Sequence, residues 1–194
     1  MAYQAAVVGA SGYTGAEALR LLAGHPEIEV VHVTAASNAG ARIADLYPAL
    51  TPAYGDAVLA PLDVADLRGL DLVFCMLPHG ASQDLLPDLL DDVSHVIDLG
   101  ADFRLPPEAY ARWYGEVHRA PEVVGRFAYG LVELYREELG RHAHVASPGC
   151  YPTAVSLACA PLLALRLVEP RVIADAVSGV SGAGRSARAA WSAA

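Results

Sequence analysis

The sequence predicts an α/β protein built on a doubly wound parallel sheet. Three observations carry this. Short runs of apolar, β-forming residues alternate along the chain with segments whose apolar residues recur at helical spacing. The first such run ends in a glycine-rich turn, GASGYTG, that opens a helix. Strand, turn, helix and second strand then fit within about 30 residues, the size of one βαβ unit.

The elements follow in order. Residues 5–9 (AAVVG) form an unbroken apolar run, as a strand buried on both faces requires. Residues 16–23 show helical spacing, stopped by Gly24, His25 and Pro26. A second strand is expected over 28–36, and residues 37–55, which carry Pro and Gly, are expected to be mostly loop. A central strand is expected over 70–77, ended by Pro78, His79 and Gly80, then a helix over 81–90 and a strand over 95–99. Helices over 107–114 and 131–139 and a strand over 142–146 complete a first domain, residues 1–147. A second domain is expected over 148–194, with a strand at 171–177.

Composition narrows the function classes. A chain of 194 residues with 54% hydrophobic residues and a mean hydropathy of +0.32 can bury a real core and is not disordered. Its formal charge of −9 and isoelectric point near 5.1 argue against nonspecific nucleic-acid binding. No charge-free apolar run is long enough to span a membrane, and the N-terminus lacks the basic and apolar regions of a secretory signal. A cytoplasmic protein is expected. The three cysteines suit neither a disulfide framework nor a structural metal site, and His142 and His144 lack further ligands. All 13 basic residues are Arg, so lysine Schiff-base chemistry and a P-loop lysine are excluded.

GASGYTG places Gly9, Gly12 and Gly15 where a tight turn must bring backbone against a pyrophosphate and aim helix amides at anionic oxygens. The simpler alternative is a glycine turn closing an ordinary α/β unit; its place after the first strand favours a dinucleotide. Ser11, Tyr13 and Thr14 belong to the same candidate site, as does Pro78 after the central strand. The end of the second strand, Thr34 to Asn38, holds no acid to take a ribose 2′-hydroxyl, which favours NADP over NAD. Ser37 and Asn38 could bond its 2′-phosphate, and Arg42 could approach it.

SPGCYPT (147–153) puts Cys150 between a Pro-Gly turn and an apolar run whose first turn accommodates Pro152. Helix-terminal amides there favour a thiolate. Cys150 is therefore either a nucleophile or a small residue packed in a turn; Cys75 and Cys159, inside apolar runs, read as core. A thiolate beside a reduced nicotinamide suggests acyl transfer to sulfur followed by hydride transfer. Arg104 could hold a substrate phosphate, or pair with Asp102. SGVSGAGR (178–185) is a second glycine-rich loop, either approaching a ligand or a plain connection, and His79 lies in a candidate loop. A hydrolase or transferase using Cys150 with His79 or His144 as base is another class, as is a cofactor-binding module without catalysis.

GASGYTG, LPHG, DLGADFRL, SPGCYPT and SGVSGAGR, in this order, make the chain resemble the N-acetyl-gamma-glutamyl-phosphate reductase family, in the wider aspartate-semialdehyde dehydrogenase superfamily. The resemblance implies a Rossmann-type domain binding NADPH, followed by the truncated start of an α+β catalytic domain. It implies acylation of Cys150, a phosphate contact from Arg104, further substrate contacts from His79 and Tyr151, and approach of Ser181 and Gly182 to the nicotinamide. It implies reduction of an acyl phosphate in arginine biosynthesis and a homo-oligomer at full length. A reductase of carrier-bound aminoadipyl phosphate in lysine biosynthesis would carry similar motifs. Two departures stand out: Ala36 where many members have Arg, and no HRHTPE-like segment with the family's acid/base His. The chain is therefore expected to be an N-terminal fragment that binds cofactor, turns over poorly and exposes apolar surface.

Overall fold

The structure, a computed structural model, describes residues 2–185. Six parallel strands form one sheet: β1 (Tyr3–Val8), β2 (Ile28–Thr34), β3 (Leu72–Cys75), β4 (His95–Asp98), β5 (Phe127–Tyr129) and β6 (His144–Ala146). Their spatial order is β2-β1-β3-β4-β6-β5. The order reverses direction across β1, so the chain winds outward both ways from the first strand. In such sheets ligands bind outside the carboxyl ends of the strands, at that reversal.

Residues Ala5 to Val8 of β1 are fully buried because each face of the strand serves a separate core. Ala6 and Val8 join Val73, Cys75, Val96, Leu86 and Leu89, while Val7 joins Leu19, Leu22, Val33 and Ile43. The unbroken apolar run is thus the sequence form of a strand covered on both sides. Helix α1 (Tyr13–Leu22) supplies Leu19 and Leu22 to the second core.

The expected loop over 37–55 contains two one-turn helices, α2 (Ile43–Leu46) and α3 (Thr51–Tyr54), separated by the 3₁₀ turn Pro48–Leu50. Ile43 and Leu50 are buried against the second core, which gives these short turns their anchorage. The helix expected over 81–90 is only α4 (Ser82–Leu85), continued by the 3₁₀ turn Leu86–Asp88. Pro87 lacks the amide that an α-helix would need there. Helices α5 (Pro107–Tyr114) and α6 (Val132–Leu139) lie where spacing places them. Strand β5 was not expected. It pairs in parallel with β6 at the sheet edge, and Gly130 after it is required because a Cβ there would stand 2.7 Å from Val145 Cγ1.

Helix α7 (Cys150–Ala164) follows β6 and buries none of its residues. The strand expected at 171–177 is not formed. No described strand offers it a ladder partner, and an unpaired strand cannot satisfy its backbone, so Ile173 and Val177 stand 91% and 97% exposed. Cys159, expected as core, is partly exposed on α7, whereas Cys75 is fully buried. No helix among the described residues is long and apolar enough to cross a membrane.

The loops leaving β3 and β4 are fixed by one carboxylate. Asp102 is fully buried. Its Oδ1 accepts from the Gly80 N–H at 2.8 Å and Gln83 Nε2 at 3.2 Å, and its Oδ2 accepts from the Ser82 N–H at 3.1 Å. Gly80 is held on its other side too, since Arg119 Nη2 donates to its carbonyl at 2.5 Å. Its φ of +87° explains why a glycine stands there.

Two predictions follow from this packing. In Asp102→Asn, one acceptor oxygen becomes a donor facing a buried N–H, at a cost of roughly 3 kcal/mol; thermal melting should fall by about 6–12 °C, and an unchanged midpoint would contradict the clamp. The second concerns His144, which is buried with an unpartnered Nδ1. Burial pushes its pKa down to about 4, and the nearby Arg126 charge and His95 act the same way. The unfolded chain takes up this proton near pH 6.5 and the folded one only near 4, so the contribution is intact above 6.5 and lost as pH falls towards 4. His144→Leu should gain on the wild type as pH is lowered from 7 to 4, whichever is the more stable at pH 7. Melting curves that shift in parallel for both proteins would rule this out.

Candidate active site

The turn between β1 and α1 is built for close approach. Gly9 adopts φ +83°, and a Cβ on it would run into the Met76 carbonyl at the end of β3. A Cβ on Gly15 would stand 2.5 Å from the Gly9 oxygen and 2.6 Å from Ala10 Cα. The turn is tied to β2 because the N–H groups of Gly9 and Ala10 both donate to Thr34 O, at 3.1 and 2.9 Å. Helix α1 starts after Gly12 with no side-chain cap and no acid in its first turn. The helix itself thus supplies no anion to its positive pole, which suits a dinucleotide pyrophosphate bound by backbone amides. Ser11, Tyr13 and Thr14 lie on this turn.

Ser37 and Asn38 follow β2 at the same edge, joined by an Asn38 Nδ2 to Ser37 Oγ bond of 3.3 Å, and Ala36 before them is exposed. Arg42 does not reach towards them. Its Nη2 and Nε donate to Gly55 O at 2.9 and 3.3 Å, so the expectation that it approaches a 2′-phosphate is not met by this arrangement.

Pro78 and His79 leave β3 two and three residues past Met76, on the loop that Asp102 holds. His79 Nε2 lies 3.1 Å from Tyr110 Oη and its Nδ1 3.5 Å from Asp102 Oδ1. Its ring stacks on Tyr114 at 4.9 Å. Beneath this loop Asp98 is wholly buried, with Ser82 Oγ donating to Oδ1 at 2.7 Å and Oδ2 unpartnered. Burial pushes its carboxyl up to about 6, and the charge of Asp102 adds to the rise; the bonds from Ser82 and Gly100 and the Arg104 charge oppose it.

Arg104 does not pair with Asp102. Its Nε donates to Ser147 O at 2.6 Å and its Nη2 to Leu99 O at 2.8 Å, which ties the end of β4 to the end of β6. That leaves Nη1 beside Gly149, where a Cβ would be 3.1 Å away. Gly149 caps α7, and Cys150 is the first residue of that helix and exposed. The extended Gly149 permits this start, and Thr153 fixes it by donating both its N–H and Oγ1 to Gly149 O, at 3.0 and 2.8 Å.

Cys150 and Tyr151 line a pocket of about 340 Å³ with Ser178, Gly179, Val180, Gly182 and Ala183. The SGVSGAGR loop and Cys150 therefore line one pocket. Ser181 sits in the same 3₁₀ turn, Val180–Ala183, but outside the pocket wall. Neither His79 nor His144 lines this pocket, so the structure does not bring either expected base to the cysteine. Sequence reading missed Asp102, Arg119 and Tyr110 as the supports of the His79 loop. Only the Asp-Phe-Arg run hinted at the first.

The semialdehyde dehydrogenase NAD binding domain family matches residues 4–142, and the semialdehyde dehydrogenase dimerisation domain family matches residues 150–194. An N-acetyl-gamma-glutamyl-phosphate reductase of Acidithiobacillus ferrooxidans is 52% identical over 187 residues, 95% of this chain and 54% of that protein. One of the same name from Pseudomonas aeruginosa is 48% identical over 184 residues. The chain spans about half the length of these curated relatives, 54% in each case. Among solved structures, the aspartate semialdehyde dehydrogenase of Francisella tularensis superposes with a TM-score of 0.68 at 16% identity, over 95% of this chain and 47% of that one. That of Candida albicans, solved with NADP, gives 0.55 at 16% identity over 85% and 48%. At such identities these structures speak for the fold, while the match over residues 4–142 speaks for descent: the chain belongs to the semialdehyde dehydrogenase NAD binding domain family.

Proposed function

We propose that the chain is the cofactor-binding and nucleophile-bearing part of an NADPH-dependent N-acetyl-gamma-glutamyl-phosphate reductase of arginine biosynthesis. The observation that carries this reading is Cys150 at the first position of α7, facing the SGVSGAGR loop across one pocket, with the Arg104 guanidinium beside Gly149. The names of relatives at 52% and 48% identity support the substrate, an acyl phosphate. The uncapped start of α1 and the absence of a carboxylate from 34–38 support NADPH.

NADPH supplies a hydride. The Cys150 sulfur attacks the acyl carbon; the carbon–oxygen bond to phosphate breaks and phosphate leaves with its electron pair. Arg104 Nη1 would neutralise that leaving group. At the thioester carbon, where the bound cofactor would supply its hydride, the free amides at the start of α7 would stabilise the resulting oxyanion. Collapse breaks the carbon–sulfur bond, releasing the semialdehyde and restoring the thiolate, with one proton taken up overall. His79 and Tyr151 would contact the substrate, and Gly9, Ser11, Gly12, Tyr13, Thr14, Gly15, Ser37, Asn38, Pro78, Ser181 and Gly182 the cofactor. The second domain would begin near Pro148. The dimerisation-domain match and the bare apolar α7 support self-association of the whole protein, and a biosynthetic role with three free cysteines supports a cytoplasmic location.

Intact-mass spectrometry after exposure to N-acetyl-gamma-glutamyl phosphate should show one acyl adduct on the wild type and none on Cys150→Ser. Fluorescence titration should give NADPH binding at least about tenfold tighter than NADH binding, a difference near 1.4 kcal/mol. A folded wild-type chain that takes up neither the acyl group nor NADPH would overturn the reading.

A further inference from the structure

The SGVSGAGR loop ends in Arg185, which crosses to the first glycine turn. Its Nη1 donates to Ser11 O at 3.3 Å, and its guanidinium carbon lies 5.7 Å from the centre of the Tyr47 ring. Tyr47 Oη donates to the same Ser11 carbonyl at 2.8 Å. One neutral carbonyl, already bonded, and the neutral side chain of Tyr47, through its ring face and its hydroxyl, are the contacts of a side chain with five N–H donors. Among the described residues no carboxylate forms an ion pair with Arg185.

Among the described residues, the other guanidiniums near this edge are each held at least in part by the protein. Arg42 is held by Gly55 O, Arg104 by Leu99 O and Ser147 O, and Arg119 by Asp84 and Gly80 O. With no lysine in the chain and Ala36 at the end of β2, Arg185 is, among the described residues, the cation bonded to the GASGYTG turn. A phosphate oxygen there would give the guanidinium a charge-assisted, bidentate partner in exchange for a long bond to a carbonyl.

We propose that Arg185 binds a phosphate of the dinucleotide at the first glycine turn, closing the SGVSGAGR loop over it. This rests on the cofactor reading above. The pyrophosphate and the 2′-phosphate share the required chemistry, and the two cofactors separate them. Arg185 thereby couples the cofactor to the loop that walls the Cys150 pocket.

The test is fluorescence titration of the full chain and of Arg185→Ala and Arg185→Lys with NADPH and with NADH, at low and high salt. Arg185→Ala should bind NADPH about tenfold or more weakly, with a shallower salt dependence, and Arg185→Lys should recover part of the loss. An equal loss for NADPH and NADH places the contact at the pyrophosphate; a loss confined to NADPH places it at the 2′-phosphate; either supports the proposal. Arg185→Ala that melts like the wild type and binds both cofactors as tightly overturns it. A folded wild type that binds neither cofactor overturns the cofactor reading instead. Arg185 is exposed, so its removal should leave folding intact, and Arg185→Lys gives a second charged variant should the alanine protein melt early.

Discussion

The buried carboxylate of Asp102 is the interaction on which the carboxyl edge of this sheet depends. A carboxylate with no solvent access is tolerated only when its lone pairs are filled, and here the backbone amides of Gly80 and Ser82 with the side-chain amide of Gln83 fill most of them. The consequence runs outward. Ser82, fixed by Asp102 through its N–H, turns its hydroxyl to Asp98, so the loops after β3 and β4 are cross-linked by one residue. His118 Nε2 lies 2.7 Å from the Asp102 carbonyl and packs edge-on against Tyr110, which brings the segment before the 3₁₀ turn of 121–126 into the same framework. The loop that carries Pro78 and His79 is therefore shaped by the interior.

The second half of the site uses the opposite economy. Cys150 owes its place to backbone geometry: an extended glycine, a helix start, and a threonine that folds back on the glycine carbonyl. Arg104 contributes by clamping two strand ends through their carbonyls, which leaves one edge of its guanidinium beside Gly149. Rigid strand ends thus present a thiol and a guanidinium on short tethers, the arrangement in which orienting two groups costs least.

What could be read from the sequence was local. Gly9, Gly12 and Gly15 announce their turn because only a missing Cβ satisfies it, and Pro152 with the apolar run announces the helix that Cys150 opens. The hub at Asp102 was not legible: its partners lie 20 and 22 residues earlier, and nothing in periodicity records a side chain reaching from the loop after β4 back to the loop after β3. Asp102, two residues before Arg104, even suggested the wrong partner. The apolar alternation over 171–177 likewise signals a strand, but a strand also needs a neighbour, and pattern alone carries no information about one. Edge strand β5, three residues long, is below the length at which alternation can be recognised.

The bond from Arg185 to Ser11 joins positions 174 apart in the chain. The glycine turn can take shape as soon as the first two strands have paired, because its own hydrogen bonds go to β2. Its guanidinium arrives only after every other strand of the sheet has been synthesised. Growth of the chain on the ribosome therefore imposes an order of events in which the turn exists, bare, long before the side chain that crosses it, and the contact between the two can form only once every strand of the sheet has been made.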